Sequence, residues 1–285
     1  MPRVLIAGCG YVGVATADLF HAALWEVEGW THSAESAELL AGKPYPVRAV
    51  DIAAPDAVEK AASRFDAVIH CASSGGGGAA SYLRVYLEGA RNLLAVLKPR
   101  TFLYTSSTSV YAQTGGEWVD EESAAEPAHE TGRLLRQTEE LVRQNGGCVA
   151  RLAGIYGPGR SALLRKFLSG DARIDEGAPR YLNQAHRDDI AAALLQLVAT
   201  PNESQIVNVT DDQPLTQREC YEWLAEKLQR PLPPTVAPSG ERKRGASNKR
   251  VSNRKLRARG WEPTFPNFQI GMELSVLPAY PTLGA

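Results

Sequence analysis

The stretch that decides the fold lies at the start of the chain and reads Val4-Leu5-Ile6-Ala7-Gly8-Cys9-Gly10-Tyr11-Val12-Gly13. Four apolar residues come first, and a run of this length is typical of a buried strand. The glycines follow with the spacing G-x-G-x-x-G, and residues 12–23 carry apolar side chains on one helical face. The pattern predicts a strand, a tight turn and a helix in immediate succession.

Each glycine of this turn meets a different physical requirement. Gly8 permits the tight turn, Gly10 lets the backbone approach a phosphate, and Gly13 lets the helix pack closely on the strand. Free N–H groups and the positive end of the helix dipole then favour an anion beside Tyr11 and Val12, which open the helix. A glycine-rich turn without a ligand is the alternative. Because the motif stands between a strand and a helix, we predict a Rossmann turn that binds NAD or NADP.

Short apolar strands alternate with amphipathic helices along most of the chain. Strands are predicted at residues 25–30, 47–50, 67–70, 101–104, 149–152 and 206–209. Helices are predicted at residues 56–64, 82–97, 132–144 and 188–199. The alternation predicts an α/β fold, a Rossmann-type doubly wound parallel sheet with a small C-terminal α/β substrate domain.

Two segments depart from this alternation and suggest the domain boundaries. Residues 158–182 are rich in Gly and Arg, and residues 231–259 are rich in Pro and then strongly basic. We therefore predict a Rossmann domain over residues 1–158 and 183–210. Residues 159–182 and 211–285 then form a smaller substrate-binding region.

Composition excludes several other classes of protein. The net charge is −1, so no overall field attracts nucleic acid or a membrane surface. No apolar run approaches the roughly 20 residues of a membrane span. Four cysteines are scattered without a Cys-x-x-Cys pair, which is typical of free thiols in a reducing cytosol and not of a zinc site. We expect a cytoplasmic protein with a small-molecule substrate and without a metal, nucleic-acid or membrane partner.

The end of the second predicted strand bears on the choice between the two nucleotides. NAD-binding Rossmann domains usually carry an acid there, which accepts a hydrogen bond from the ribose 2′-hydroxyl. This strand ends in Thr31-His32-Ser33, and Glu28 falls within the strand. NADP is therefore favoured over NAD, since no carboxylate would repel a 2′-phosphate. Asp51 and Ile52 follow the third strand, where Asp51 could reach the adenine or could simply cap the next turn.

Further motifs follow in a fixed order along the chain. They are Val68-Ile69-His70-Cys71-Ala72, Gly89-Ala90-Arg91-Asn92-Leu93-Leu94, Tyr104-Thr105-Ser106-Ser107-Thr108-Ser109-Val110-Tyr111, Arg151 with Tyr156-Gly157-Pro158-Gly159-Arg160, His186-Arg187-Asp188-Asp189, and Asn248-Lys249-Arg250 with Gly260-Trp261. Together with the glycine turn, they resemble the extended short-chain dehydrogenases/reductases of the NAD-dependent epimerase/dehydratase type. The resemblance covers nearly all 285 residues.

The resemblance implies further site residues and an assembly. Cofactor contacts are implied for Cys71, Ala72, Ser73, Ser106 and Ile155. Substrate contacts are implied for Arg160, Asn183, His186 and Arg250. Arg250 lies in the basic run at residues 241–259. This run could contact the substrate through Arg250, or it could be a solvated face or a nucleic-acid patch. A homodimer is implied through the two helices at residues 82–97 and 132–144.

The chain departs from the family at the residues that move protons. Family enzymes use a Ser or Thr, with a Tyr and a Lys spaced Tyr-x-x-x-Lys on one helical face, where the lysine lowers the tyrosine pKa. Ser107 stands at the first position, but Thr131 and Leu135 stand where the Tyr and Lys belong. No Tyr-x-x-x-Lys occurs anywhere in the sequence. The usual proton relay is therefore absent.

Other titratable groups lie close enough in sequence to replace the relay. Tyr111 follows Ser107 closely, although the family uses its equivalent mainly for substrate contact or packing. His129 and Glu130 flank the vacant tyrosine position, where a solvated helix N-terminus is the alternative interpretation. Arg133 or Arg136 could supply the missing cation, or could be surface charges.

Two functions remain compatible with these residues. The first is an NAD(P)-dependent oxidoreductase or isomerase of the epimerase/dehydratase type, which acts on a nucleotide-sugar or similar carbonyl or hydroxyl substrate through an unusual relay. The second is a non-catalytic NAD(P)-binding sensor or scaffold. Retention of Ser107, Arg160 and the cleft-lining segments favours the enzyme.

Overall fold

The computed structural model describes residues 1–177, 179–200, 205–237 and 247–280. The strands are β1 (Arg3–Ala7), β2 (Glu26–Thr31), β3 (Val47–Ala49), β4 (Ala67–His70), β5 (Thr101–Ser107), β6 (Glu117–Val119), β7 (Cys148–Leu152), β8 (Gly154–Tyr156), β9 (Ile174–Asp175), β10 (Tyr181–Leu182), β11 (Gln184–His186), β12 (Ile206–Val209), β13 (Leu215–Thr216), β14 (Thr235–Val236) and β15 (Lys249–Val251).

The helices alternate with the strands in the first half of the chain and less regularly after β7. They are α1 (Tyr11–Ala22), α2 (Ala34–Glu38), α3 (Pro55–Ala61), α4 (Ala79–Tyr82), α5 (Gly89–Leu97), α6 (Glu130–Gln144), α7 (Ala162–Leu168), α8 (Arg187–Ala199), α9 (Gln217–Leu228), α10 (Arg254–Arg257) and α11 (Phe268–Gly271). The described residues also include two π-helical segments (Leu83–Glu88 and Met272–Val276) and one 3₁₀ turn (Thr108–Val110). No helix within the described ranges is long and apolar enough to span a membrane.

A seven-stranded sheet carries the fold, with the order β12-β7-β5-β4-β1-β2-β3. β1 pairs in parallel with β2 and β4, β2 with β3, and β4 with β5. Val4, Leu5 and Ile6 are fully buried, as are Val68 and Ile69, because helices cover both faces of a parallel sheet. The strand order reverses between β1 and β4. The carboxyl ends of these two strands therefore flank the crevice where such folds bind ligands. The predicted Rossmann-type doubly wound fold is confirmed.

The chain divides into two compact units. Unit 1 comprises Met1–Val110, Pro127–Arg151 and Ile190–Val207, and unit 2 comprises Tyr111–Glu126, Leu152–Asp189 and Asn208–Ala285. Unit 2 takes more of the chain than the predicted substrate region. The reason is strand pairing, since β6 pairs with β15 and β8 pairs with β11. The division of cofactor and substrate binding between domains stays a prediction.

Unit 2 is built from short strand pairs and helices around a core of its own. β9 pairs with β14 in parallel and β10 with β13 in an antiparallel pair. α9 begins with a capping box, in which Thr216 Oγ1 accepts from Glu219 N and the Glu219 carboxylate accepts from Thr216 N. The core of unit 2 includes Tyr156, Leu164, Phe167, Tyr221, Leu224, Phe268 and Met272. None of these short pairs shows a periodic signal strong enough to predict from sequence.

The predicted elements of unit 1 are mostly confirmed. The strand at residues 67–70 has its predicted bounds, and the helix at 12–23 is α1, displaced by one residue. The predicted helix at 82–97 is one continuous run of α4, the π-helical segment Leu83–Glu88 and α5. It ends at Lys98, whose left-handed backbone caps α5. The short helix α2 was not predicted.

Candidate cofactor and active site

Gly8 and Gly13 have no space for a side chain. Gly8 has φ +104°, and a Cβ there would lie 2.2 Å from the Ala72 amide nitrogen on the neighbouring chain segment. A Cβ on Gly13 would lie 2.2 Å from the Gly8 carbonyl oxygen. The first glycine therefore permits the turn, and the last permits the close approach of α1 to it.

Gly10 differs from the other two because its missing side chain faces open space. A Cβ there would meet no atom within 4 Å. Gly10 is also the N-cap of α1, so it offers no capping side chain, and the first turn of α1 contains no acidic residue. An open concavity at the positive end of a helix fits a phosphate group. These glycines therefore fit the pyrophosphate of a dinucleotide.

A cleft of ≈ 270 Å³ in unit 1 lies at the ends of the strands nearest this turn. It is lined by Gly8, Trp30, Thr31, His32, Val50, Asp51, Ile52, Ala53, Ala72, Ser73, Ser74, Ser81, Arg84 and Val85. Seven residues that the sequence predicted for cofactor binding are in this set: Gly8, Thr31, His32, Asp51, Ile52, Ala72 and Ser73. The lining is mostly apolar, with a few polar groups, which is the usual character of a small-molecule site.

Some predicted cofactor residues have other contacts in unit 1. Cys71 is half-buried, and its Sγ donates to the Gly8 carbonyl at 3.4 Å. Ser33 caps α2 by accepting from Ser36 N at 3.2 Å. Ser106 is buried, and its Oγ donates to Glu139 Oε1 at 2.6 Å. These side chains therefore support the local structure of the turn, of α2 and of β5.

The tip of β2 carries no available carboxylate. The strand ends at Thr31, whose Oγ1 donates to the Ser33 carbonyl at 3.1 Å. Glu28 is buried within the strand, where it accepts from Trp30 Nε1 at 2.8 Å and pairs with Arg48 at 3.3 Å. The carboxylate of Glu28 is thus fully engaged inside the protein.

Asp51 both caps a turn and faces the cleft. Its Oδ1 accepts from Ala53 N at 3.0 Å, and its other oxygen forms an ion pair with Arg84. His32 Nδ1 lies 3.8 Å from Oδ1. Arg84 was not predicted from sequence, because it comes from the π-helical segment, and nothing in the local pattern indicates its approach to Asp51.

Ser107 is the accessible hydroxyl at the end of β5. It is half-buried, and its Oγ accepts from Ser109 N at 3.1 Å. The hydroxyl proton of Ser107 is not used in that bond. Glu139 holds the adjacent strand end in place, since Arg151 donates to both of its carboxylate oxygens, at 3.0 and 2.7 Å.

Thr131 and Leu135, which the resemblance predicts at the positions of the family's Tyr and Lys, lie on α6. Thr131 is half-buried and Leu135 is buried. His129 is the exposed N-cap residue, and its side chain makes no capping hydrogen bond, while Glu130 is exposed in the first turn. Arg133 donates to the Ala128 carbonyl at 2.7 Å, and Arg136 forms an ion pair with Glu139.

Two predicted residues of unit 2 are fully buried and hydrogen-bonded. Tyr111 Oη donates to Asn208 Oδ1 at 2.9 Å. His186 Nδ1 accepts from Asp188 N at 3.2 Å, and its Nε2 lies 3.0 Å from Ser275 Oγ. Burial lowers the pKa of His186 to about 4, against the opposing effect of the Asp188 carboxylate. The ring is therefore neutral at pH 7. Because Nδ1 accepts a hydrogen bond, the ring proton is on Nε2, which faces Ser275.

The remaining predicted residues of unit 2 lie on or beside short strands. Asn183 bridges backbone groups of β15, donating to the Lys249 carbonyl at 3.0 Å and accepting from Val251 N at 2.6 Å. Arg250 lies between the rings of Trp118 and Tyr181, 5.2 and 4.9 Å from their centroids. The other two are Arg160, which is exposed, and Ile155, which is half-buried in β8.

Lys249 is a buried cation that sequence reasoning missed. Its side chain is 7% exposed, and its Nζ donates to Ser247 Oγ at 3.2 Å. Burial, together with the charge of Arg180, lowers the pKa of Lys249 to about 8. The basic run around it carried no signal that separated this lysine from its solvated neighbours. Residues 241–246 of that run lie outside the described residues.

Known proteins are similar to this chain in sequence or in fold. Residues 4–210 match the NAD dependent epimerase/dehydratase family. Protein YeeZ of Escherichia coli K12 is 30% identical over 222 residues, which are 73% of this chain and 77% of YeeZ. A structure from Methylobacillus flagellatus, named as a candidate NAD-dependent epimerase/dehydratase, is 28% identical, with a TM-score of 0.77 over 98% of both chains. The UDP-glucose 4-epimerase of Thermus thermophilus, in complex with NAD, shares the fold, with 20% identity and a TM-score of 0.78 over 96% of this chain and 97% of that chain.

Proposed function

The chain belongs to the NAD dependent epimerase/dehydratase family, and from that premise we propose that it binds NADP or NAD, with NADP preferred, and catalyses a reaction. The reaction is an oxidation–reduction or an isomerisation of a nucleotide-sugar or a similar small carbonyl or hydroxyl compound. The Thermus thermophilus relative, a UDP-glucose 4-epimerase in complex with NAD, supports this class of substrate.

The geometry of the glycine turn carries the proposal. Gly8 and Gly13 are sites where any Cβ would collide with backbone, while Gly10 faces open space at the N-terminus of α1. A turn that served packing alone would not require glycine at position 10, where a side chain would have room. The mostly apolar cleft beside the turn supports a bound nucleotide.

The tip of β2 supports the preference for NADP. A carboxylate that accepts from the 2′-hydroxyl would repel a 2′-phosphate. The strand ends instead in Thr31, and Glu28 is engaged by Trp30 and Arg48. A 2′-phosphate would therefore meet no opposing charge from this strand.

The proposed chemistry divides between the cofactor and a small number of side chains. When bound, the nicotinamide supplies a hydride donor or acceptor. Ser107 Oγ is oriented by the Ser109 amide and keeps its own proton for a hydrogen bond to a substrate oxygen. The proton that a substrate hydroxyl would release on oxidation, or that a carbonyl oxygen would take up on reduction, would pass to or from solvent through His129 or Glu130, both exposed at the start of α6. Tyr111 is the weaker candidate, because it is fully buried and donates to Asn208.

A non-catalytic sensor or scaffold that binds NAD(P) is the second candidate function. Two side chains on α6 favour it, because Thr131 has no useful acidity and Leu135 is buried and apolar. Such a protein would use the cofactor as a signal and not as a reagent.

Turnover separates the two functions. The wild-type protein is incubated with NADPH or NADP and a panel of nucleotide-sugars and small carbonyl compounds, following nicotinamide absorbance and, for isomerisation, the sugar product by NMR. We expect turnover that falls about 10²- to 10⁴-fold in Ser107→Ala. The neighbouring Ser109→Ala is the control, since Ser109 contributes only its backbone amide. Tight cofactor binding without turnover of any compound would favour the sensor.

A further inference from the structure

Three ionisable side chains face the unit 1 cleft. Among the described residues that line it, Arg84 is the one permanently charged cation. The other two are Asp51, which forms an ion pair with Arg84, and His32, whose Nδ1 lies 3.8 Å from the same carboxylate. The Asp51–Arg84 pair joins the segment after β3 to the helix after β4, and both residues line the cleft.

Arg84 is held in this position by the helix that carries it. The π-helical segment Leu83–Glu88 has a wider turn than an α-helix, and such segments are frequent at functional sites. Tyr86 of the same segment anchors it to the loop after β4, because its hydroxyl accepts from Ser74 N at 3.4 Å. The Tyr86 ring also packs on Tyr82, with 4.9 Å between the centroids.

Two further contacts tie this helix to the segment that carries Asp51. Asn92 Nδ2 donates to the Ile52 carbonyl at 2.9 Å. Gly89 lies so close to Ile52 that a Cβ on the glycine would be 2.8 Å from the Ile52 Cδ1. The two backbones are therefore fixed relative to each other, and only the side chains of Arg84 and Asp51 need to move when a ligand enters.

The Asp51–Arg84 pair is exposed enough to exchange partners. The side chains of Arg84 and Asp51 are 54% and 27% exposed, and ion pairs of this kind contribute little net stability. A phosphate monoester carries about −1.5 to −2 charges at pH 7 and accepts a bidentate hydrogen bond from a guanidinium. The ribose 2′-hydroxyl of NAD carries no charge, so it cannot compete with Asp51 for Arg84.

We propose that Arg84 is the residue that selects NADP over NAD, by binding the 2′-phosphate from the helix after β4 and not from the end of β2. The inference rests on the proposed function, since it concerns the same cofactor site. Asp51 holds Arg84 beside the cleft in the free protein. When NADP binds, the Arg84 guanidinium turns from Asp51 to the phosphate, and the Asp51 carboxylate keeps its hydrogen bond from the Ala53 amide. His32 is the second, weaker contributor, because its side chain is three-quarters exposed.

The test compares dissociation constants for NADPH and NADH, and for the fragments 2′,5′-ADP and 5′-AMP, in the full chain. Fluorescence serves for the reduced cofactors and calorimetry for the fragments. We expect Arg84→Met to raise the dissociation constants of NADPH and 2′,5′-ADP about 10- to 100-fold, which is the size of a charge-assisted contact. The dissociation constants of NADH and 5′-AMP should change less than about 3-fold. Arg84→Lys should retain part of the preference. Arg91→Met, an exposed arginine on α5 outside the cleft lining, is the matched control and should change neither.

Each outcome bears on one claim. Equal weakening of NADPH and NADH by Arg84→Met, or no change in either, overturns the role of Arg84 and leaves the cofactor proposal standing. If the wild-type protein binds neither nucleotide, the proposed function fails and the role of Arg84 fails with it. A NADPH preference that falls with added salt in the wild type but not in Arg84→Met supports the electrostatic account.

Discussion

At Gly10, the stability of α1 and the proposed binding of a phosphate favour different residues. As the N-cap of α1 it would stabilise the helix better as Asp, by a few tenths of a kcal/mol. A carboxylate at the same place would repel a pyrophosphate. The absence of a capping side chain therefore fits the proposed phosphate site and does not favour helix stability.

We predict that Gly10→Asp keeps or slightly raises the melting temperature of the free protein and weakens NADPH binding by about 100-fold or more. The substitution has room, since a Cβ there meets nothing within 4 Å. Thermal unfolding and a NADPH titration measure the two effects. Gly42→Ala, at an exposed glycine with equal space, is the control. Unchanged NADPH affinity in Gly10→Asp would contradict the assignment of this turn to a phosphate.

Lys249 illustrates a buried charge whose cost is measurable. No carboxylate among the described residues lies within salt-bridge distance of its Nζ, which donates to Ser247. We predict that Lys249→Met raises the free energy of unfolding at pH 7 by about 1–3 kcal/mol, because it removes the desolvation of the ammonium group.

The pH dependence of this gain has a defined sign. Burial lowers the pKa of Lys249 in the folded protein to about 8, from an ordinary value of 10.5. Between these values the unfolded chain holds the proton and the folded chain does not, so wild-type stability rises with pH and the advantage of Lys249→Met shrinks. Urea unfolding at pH 7 and pH 9.5 tests this. A variant less stable than wild type at pH 7 would show that the lysine stabilises the fold.

At the scale of elements, α6 and β7 are joined by a buried ion pair. Glu139 on α6 and Arg151 on β7 are both essentially unexposed, and Arg151 donates to both carboxylate oxygens. Ser106 and Arg136 also bond to Glu139, so the pair fixes the end of β5 beside Ser107. Thr131 and Leu135, the predicted positions of the family's Tyr and Lys, lie on the same helix.

Removing one member of this pair should be costly, since the other charge stays buried. We predict that Glu139→Ala lowers the free energy of unfolding by about 3–5 kcal/mol and that Glu139→Leu with Arg151→Met recovers most of the loss. Urea unfolding of Glu139→Leu, of Arg151→Met and of the double variant that combines them provides the cycle. Losses that simply add in the double variant would contradict the pairing.

Element-scale prediction from sequence succeeds where a local pattern is strong. The apolar run Ala67–His70 and the helical spacing of α1 each identify their elements almost to the residue. The π-helical turn at Leu83–Glu88 has no such pattern, because its register depends on packing against Ile52 and the loop at Ser74. For that reason the sequence did not predict Arg84 as a residue that lines the cleft. Thr31, His32 and Asp51, which also line it, were predicted from their place at strand ends.

At the scale of the whole molecule, each unit contains a buried neutral histidine. Burial lowers the pKa of His70 in unit 1 and of His186 in unit 2 to about 4, from an ordinary value of 6.5. As pH falls from 6.5 towards 4, the unfolded chain takes up a proton at each site and the folded chain does not. Both units should therefore lose stability across this window.

We predict that His70→Asn reduces the steepness of this acid-induced loss by about 1.4 kcal/mol per pH unit, the contribution of one proton. Asn is polar and does not titrate in this range. The free energy of unfolding in urea, measured at intervals from pH 7.5 to pH 4, gives the slope. A slope identical to that of the wild type would show that His70 is protonated in the folded protein.

Family membership is also a whole-molecule property, and it was predictable. The order of motifs from the glycine turn to Gly260-Trp261 predicted the epimerase/dehydratase family, and the family match over residues 4–210 confirms it. The boundaries of unit 2 were less accessible to sequence, because they depend on pairings such as β6 with β15, which lie far apart along the chain. The homodimer, the cytoplasmic location and the substrate contacts stay predictions.

We propose above all that the glycine turn and its cleft bind a dinucleotide with a preference for NADP. A parallel titration of the purified protein with NADPH and NADH, followed by cofactor fluorescence and thermal stability, tests it most directly. We predict dissociation constants of about 1–100 μM for NADPH and weaker values for NADH, with a matching rise in melting temperature. The absence of binding by either nucleotide at millimolar concentration would contradict the claim and leave the glycine turn a purely structural feature.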